Sequence, residues 1–170
     1  PILAGLGIGG IAVALAVQPT LSNFFAGTYV LTEGALKEGD FIEIEGGIAG
    51  YVSSVGWRST KIRDRFNNLV LIPNSKMAES VVTNFYSPET AINILITSGV
   101  AYEENLENVE VIVKDTLQQL LSVSENVANN SKPRFGFEEF GDSNINFWIF
   151  MQAKDWAASL QLKSATAKAV

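Results

Sequence analysis

The chain has no histidine and no cysteine among its 170 residues. That excludes a Ser-His triad, a thiol nucleophile, a His or Cys zinc site and any disulfide. Charge is missing from one end: no Asp, Glu, Lys or Arg occurs before Glu33. The remainder lacks a basic excess. A net charge of −6 opposes the basic surface that phosphate-tracking nucleic-acid binders show. An uncharged start joined to a mixed-charge remainder predicts a membrane segment followed by water-exposed domains. No basic stretch precedes the apolar run, which argues against a cleavable signal peptide. The abrupt apolar start predicts a fragment of something longer.

What is present begins with small residues. Pro1–Val17 carries Ala4, Gly5, Gly7, Gly9, Gly10, Ala12, Ala14 and Ala16. In water each glycine weakens a helix by roughly 1 kcal/mol relative to alanine. In a bilayer the same residues let helix backbones approach closely, and Gly5–Gly9, Gly10–Ala14 and Ala12–Ala16 have the small-xxx-small spacing. Gln18-Pro19 predicts a bend, because proline removes a helical hydrogen bond and clashes with the preceding turn. Beyond it, Thr20–Leu31 predicts a shorter amphipathic helix with aromatics at an interface.

After a connector at Gly34–Gly39 the period becomes two. Asp40–Glu45, Gly50–Gly56, Ser59–Arg63, Leu69–Ile72 and Val81–Phe85 predict five short strands, with turns at Gly46-Gly47 and Asn67-Asn68 and a short helix through Met77 and Ala78. Such spacing predicts a small β-barrel. Ser87-Pro88-Glu89 marks a boundary. A strand (Ala91–Thr97), a helix (Asn105–Leu121), a polar turn (Asn129–Pro133), two strands (Arg134–Phe140, Asn144–Gln152) and a helix from Asp155 follow. That βαββα order predicts an α+β domain. The expected domains are thus 1–33, 34–87 and 88–170.

Three motifs invite a chemical reading. Gly5-Leu6-Gly7-Ile8-Gly9-Gly10 satisfies the dinucleotide pattern G-x-G-x-x-G, with Glu33 as a ribose acid. Against it, only Pro1–Ala4 remains for the preceding strand, and no βαβ rhythm follows. The acid pairs Glu43/Glu45, Glu103/Glu104 and Glu138/Glu139 fit solvated surface better than catalysis. Arg58, Lys61, Arg63 and Arg65, with Trp57 and Phe66, form a basic aromatic cluster suited to RNA, anionic lipid or an acidic neighbour.

The segment Gly9-Gly-Ile-Ala-Val-Ala-Leu-Ala-Val-Gln-Pro-Thr-Leu-Ser-Asn-Phe-Phe-Ala-Gly27 resembles the pore-lining third transmembrane helix of small-conductance mechanosensitive (MscS-type) channels. Lys37-Glu-Gly-Asp-Phe-Ile42, Gly47-Ile-Ala-Gly50, Val55-Gly-Trp-Arg-Ser-Thr60 and Ile72-Pro-Asn74 resemble that family's Sm-like β domain, and Gly99-Val-Ala-Tyr102 the opening of its α/β domain. The resemblance implies a pore helix, an Sm-like barrel and a ferredoxin-like α+β domain, incomplete at its C-terminal end. It implies a multi-pass protein of the inner cell membrane whose β and α/β domains are cytoplasmic. Its partners would be six further copies in a homo-heptamer, membrane lipids, and permeating ions and small osmolytes released on hypo-osmotic shock. No nucleic acid, cofactor, metal or enzymatic activity is expected. The implied pore constriction is Ile11 and Leu15, which lie on one helix face. Gly7, Gly10 and Ala14 would pack helices together, Gln18 and Pro19 form the bend, and Val17 and Leu21 meet the tension-sensing helices. Ile8 and Pro19 depart from the family, which often has a small residue and a glycine there. The other reading of the chain is a soluble Sm-like ring that binds RNA; the uncharged N-terminal segment opposes it.

Overall fold

The computed structural model describes residues 2–129 and 131–170. Pro1 and Asn130, and with Asn130 part of the predicted polar turn, lie outside the described residues. The chain divides into two compact units, one ending at Ser87 and one beginning at Pro88.

The first unit opens with a single helix, α1 (Ile2–Glu33), of 32 residues. The two helices expected on either side of Gln18-Pro19 are one element here, and Pro19 lies inside it. Proline offers no N–H to the Leu15 carbonyl. One turn further on, the Asn23 side-chain amide donates to the Pro19 carbonyl at 2.8 Å. The helix stops at Gly34, whose φ of +63° is the left-handed conformation that ends helices.

Five antiparallel strands follow: β1 (Phe41–Ile44), β2 (Ile48–Val55), β3 (Ser59–Asp64), β4 (Leu69–Pro73) and β5 (Val82–Asn84), with helix α2 (Asn74–Glu79) before the last. The β1–β2 turn uses Gly46 and Gly47, both at positive φ, where a side chain would be strained. The strands form one sheet in the order β4-β3-β2-β1-β5. The expected barrel is not closed: β4 and β5 are the two edges, and no pairing joins them among the described residues. Alternation sets the faces. Thr60 and Ile62 of β3 point inward while Lys61 and Arg63 are exposed. Ile42, Ile44, Val52, Ile62, Ile72 and Met77 make the core, joined by Val30 of α1.

The second unit has the βαββα order: β6 (Ile92–Val100), α3 (Leu106–Val123), β7 (Arg134–Phe140), β8 (Ile145–Ala153) and α4 (Trp156–Ala169). Its antiparallel sheet runs β6-β8-β7. Central β8 buries every second residue from Ile145 to Ala153. Phe147, Ile149 and Met151 pack with Val113 and Leu117 of α3 and Leu162 of α4. Asn105 caps α3 by accepting from the Glu107 and Asn108 N–H groups, and Asp155 caps α4 by accepting from the Ala158 N–H.

Candidate functional site

Helix α1 is apolar and nearly bare. It is long and apolar enough to cross a membrane, with a mean hydropathy of 1.9 over its best stretch, none of it buried. Within α1 only Gly27 and Val30 are buried. Exposed apolar surface on this scale marks a membrane or a partner subunit as the natural surroundings.

Beside the apolar contact of Val30, a small polar dock holds α1 to the β unit. Asn23 accepts from the Ser75 backbone N–H at 3.0 Å and from its hydroxyl at 3.1 Å. One turn along, Gly27 lies against Asn74. A Cβ at Gly27 would collide with the Asn74 amide nitrogen and come within 2.8 Å of the Trp57 carbonyl oxygen. Asn74 itself is fully buried, and both ends of its side-chain amide are bonded. Its amide nitrogen donates to the Gly56 carbonyl at 2.8 Å, its oxygen accepts from the Thr60 hydroxyl at 3.0 Å, and its backbone N–H donates to the Arg58 carbonyl at 3.0 Å. Buried polar groups satisfied in this way fix one geometry, because breaking any bond leaves an orphan that costs about 1–3 kcal/mol. Pro73 preceding Asn74 starts α2 and aims both Asn74 and Ser75 at the helix.

The dock also fixes how α1 is rotated about its axis. At 100° per residue, the stripe of Ile11 and Leu15 lies about a third of a turn from the Asn23–Gly27 face, and the Val17–Leu21 stripe another third beyond it. All four apolar residues are exposed: Ile11 63%, Leu15 63%, Val17 49% and Leu21 53%. Gly7 and Gly10 have nothing near where a Cβ would stand, and Ala14 and Gln18 are likewise exposed. Within one chain, then, the predicted constriction, packing and coupling residues share a helix and all stand exposed on it.

The alternative motifs dissolve. The glycines of the dinucleotide pattern sit inside α1, with Ile2–Ala4 ahead of them helical as well, and Glu33 is the last residue of that helix. No group of three or more metal-ligating side chains occurs among the described residues. The basic cluster is spread along β3 and its hairpin. Asp64 ties the hairpin tip by accepting from the backbone N–H groups of Phe66 and Asn68 and from the Asn68 side chain. Those bonds, the Asn68 side chain's first, hold its carboxyl below the usual Asp range. The Arg65 guanidinium stacks 5.0 Å from the Phe66 ring centre.

Comparison with known proteins decides what this arrangement belongs to. Residues 19–87 match the family model of the mechanosensitive ion channel β-domain. The large-conductance mechanosensitive channel MscMJLR of Methanocaldococcus jannaschii is 36% identical over 154 residues, 91% of this chain and 42% of that protein. The small-conductance channel MscMJ of the same organism is 34% identical over 148 residues, 87% of this chain and 41% of that protein. The closed-state crystal structure of Helicobacter pylori MscS superposes with a TM-score of 0.80 at 30% identity, over 99% of this chain and 66% of that one. The chain belongs to the MscS family of mechanosensitive channels. It spans less than half the length of the two archaeal relatives. Membership displaces the RNA-binding alternative. It also gives the dock its setting: in this MscS-family chain the apolar helix α1 is fastened to the β unit by Asn23, Gly27, Asn74 and Ser75. Asn23 and Gly27 stand in one of the motifs quoted above and Asn74 in another, and neither motif told that they meet or that Ser75 joins them. The only signal was that Ser-Asn and Pro-Asn-Ser are polar islands beside apolar runs.

Proposed function

We propose that this chain is a subunit of a channel that membrane tension opens, releasing ions and small osmolytes during hypo-osmotic shock. The observation that carries the reading is the bare apolar helix fastened at one end by a fully satisfied polar dock. A helix held this way needs lipid and sister helices for its remaining faces, and turning it would move Ile11 and Leu15 together. Seven copies around an axis would bring those residues into two apolar rings, a constriction where water is unstable and ions are blocked without a plug. Gly7, Gly10 and Ala14 would let neighbouring pore helices approach. Val17 and Leu21, on the third face, would meet the helices that feel tension, and Gln18-Pro19 would set the angle between the pore and dock segments.

The sheet order supports an Sm-like β domain whose open edges, β4 and β5, are covered in a ring by a repeating head-to-tail contact between subunits. A ferredoxin-like second unit would complete a hollow cytoplasmic cage beneath an inner-membrane pore. The test is patch recording of the full-length protein under suction. Wild type should open at a defined tension, and Ile11→Ser or Leu15→Ser should leak when closed or open at lower tension. Unchanged leak and threshold in both variants would remove these residues from the gate. A full-length protein that never conducts under tension would sink the channel reading itself.

A further inference from the structure

The loop between β2 and β3 carries a feature that neither packing nor the dock uses. Trp57 is 59% exposed, although tryptophan is normally well covered. Among the described residues its indole N–H meets no acceptor, and the neighbouring Arg58 side chain, also exposed, has no carboxylate partner. The backbone beside these side chains is rigid. The carbonyls of Gly56 and Arg58 accept from Asn74, and the Trp57 carbonyl lies against Gly27 of α1. Lys76 is exposed next to Ser75, the residue that holds Asn23. An aromatic and two cations are therefore held at fixed height beside the helix.

That height follows from composition. The unbroken apolar run of α1 ends at Val17, and polar Gln18, Thr20, Ser22 and Asn23 follow, so the helix leaves the hydrocarbon core near Leu21. Gly27, six residues on, then stands about 9 Å beyond it if the helix is upright, and closer if it tilts or bends. The headgroup layer occupies roughly the next 5–8 Å on each side. Asn23, and with it Ser75, stands within that layer. An indole reaching from the Gly27 level spans the remaining gap. Headgroup depth is where tryptophan is enriched, since its body is apolar and its N–H needs an acceptor. Cations there are drawn to an anionic leaflet.

We infer that Trp57, Arg58 and Lys76 form a lipid-facing rim by which the β domain rests on anionic headgroups of the bilayer that α1 crosses. The rim gives the soluble unit a second hold on the membrane, independent of the helix. Bilayer composition then acts directly on the dock, because Trp57 and Arg58 belong to the same loop that Asn74 binds. The inference rests on the proposal that α1 spans a membrane.

The test uses the full-length protein with Trp57 as sole tryptophan, Trp148, Trp156 and any others being replaced by phenylalanine. It is reconstituted in phosphatidylcholine vesicles brominated near the headgroup, with and without phosphatidylglycerol. Bromine should quench most of the Trp57 emission, more strongly with phosphatidylglycerol present, and Arg58→Glu should remove that lipid dependence. Emission indifferent to bromine overturns the inference. Iodide quenching would then show the rim facing water, and protection from both quenchers would show another subunit covering it. Suction recordings on the same vesicles keep the two readings apart. Conduction with an unquenched Trp57 defeats the rim alone, whereas absence of conduction defeats the channel.

Discussion

Removing the Asn74 side chain should loosen α1 from the β unit. Asn74→Ala deletes two hydrogen bonds at a site with no solvent exposure, leaving the Gly56 carbonyl and the Thr60 hydroxyl without their partner. Each orphan costs about 1–3 kcal/mol, the hydroxyl at the low end because it can rotate, so the sum is about 2–4 kcal/mol. Thr60→Val alone should cost about 1–2 kcal/mol, since it strands only the Asn74 oxygen. The double variant should cost less than the two singles added, by at least about 0.5 kcal/mol, because the second change removes a group already stranded. Asn74→Asp sharpens the test. At neutral pH it sets a carboxylate oxygen against the Gly56 carbonyl in a buried site, which raises its pKa above the unfolded value. The penalty is full above that raised value and is relieved as pH falls toward the ordinary Asp range, where a protonated carboxyl can donate to Gly56. Denaturant unfolding of the detergent-solubilised full-length protein reads all four variants. Additive costs, or an Asn74→Ala change below about 0.5 kcal/mol, would refute the claim that this residue organises the dock.

Three further outcomes follow from the geometry. Gly27→Ala places a methyl group against Asn74 and the Trp57 carbonyl and should cost about 1–3 kcal/mol in the same unfolding assay, with an altered tension threshold. Gly7→Ala meets nothing within its own chain, so normal unfolding in detergent with impaired gating is expected; unimpaired gating would take Gly7 out of the packing between pore helices. Asp64, held low by the Asn68 side chain, the backbone N–H groups of Asn68 and Phe66, and Arg65, should keep the β3–β4 hairpin ordered above pH ~4 and release it as pH falls through its lowered value. Protease cleavage at the Arg65 tip should rise in that acid range for wild type and lose its pH dependence in Asp64→Asn.

Much of this fold is written in short-range pattern. The alternation of β8 and the helical spacing of Val109, Val113 and Leu117 were legible because each element buries one face at its own period. Gly46-Gly47 declared its turn because few other residues accept two successive positive φ values. Pro19 was harder. A local rule predicts a bend between two helices, yet one element runs through the position. Barrel closure was not legible either, since whether β4 meets β5 depends on sheet curvature that alternation does not encode. The dock was least legible. Asn23 and Ser75 are 52 positions apart, and Asn74 looks in sequence like an ordinary residue at a helix start. Its importance comes from being surrounded, which no window of neighbouring letters reports. The face assignments of Ile11, Leu15, Val17 and Leu21 came from a family resemblance and single-helix geometry, and concern surfaces that only other chains or lipid can complete.

The separation of 52 positions between Asn23 and Ser75 has a consequence for how the protein is made. A ribosome adding about 5–20 residues per second needs roughly 3–10 s to pass from one to the other. Throughout that interval the newborn helix has no latch. Without it α1 is free to turn about its axis, and it acquires its azimuth only when the Pro73-Asn74-Ser75 corner leaves the ribosome and folds. Insertion and orientation are therefore sequential events in biogenesis. A variant that spoils the corner should reach the membrane in normal amounts, yet with α1 facing no particular way.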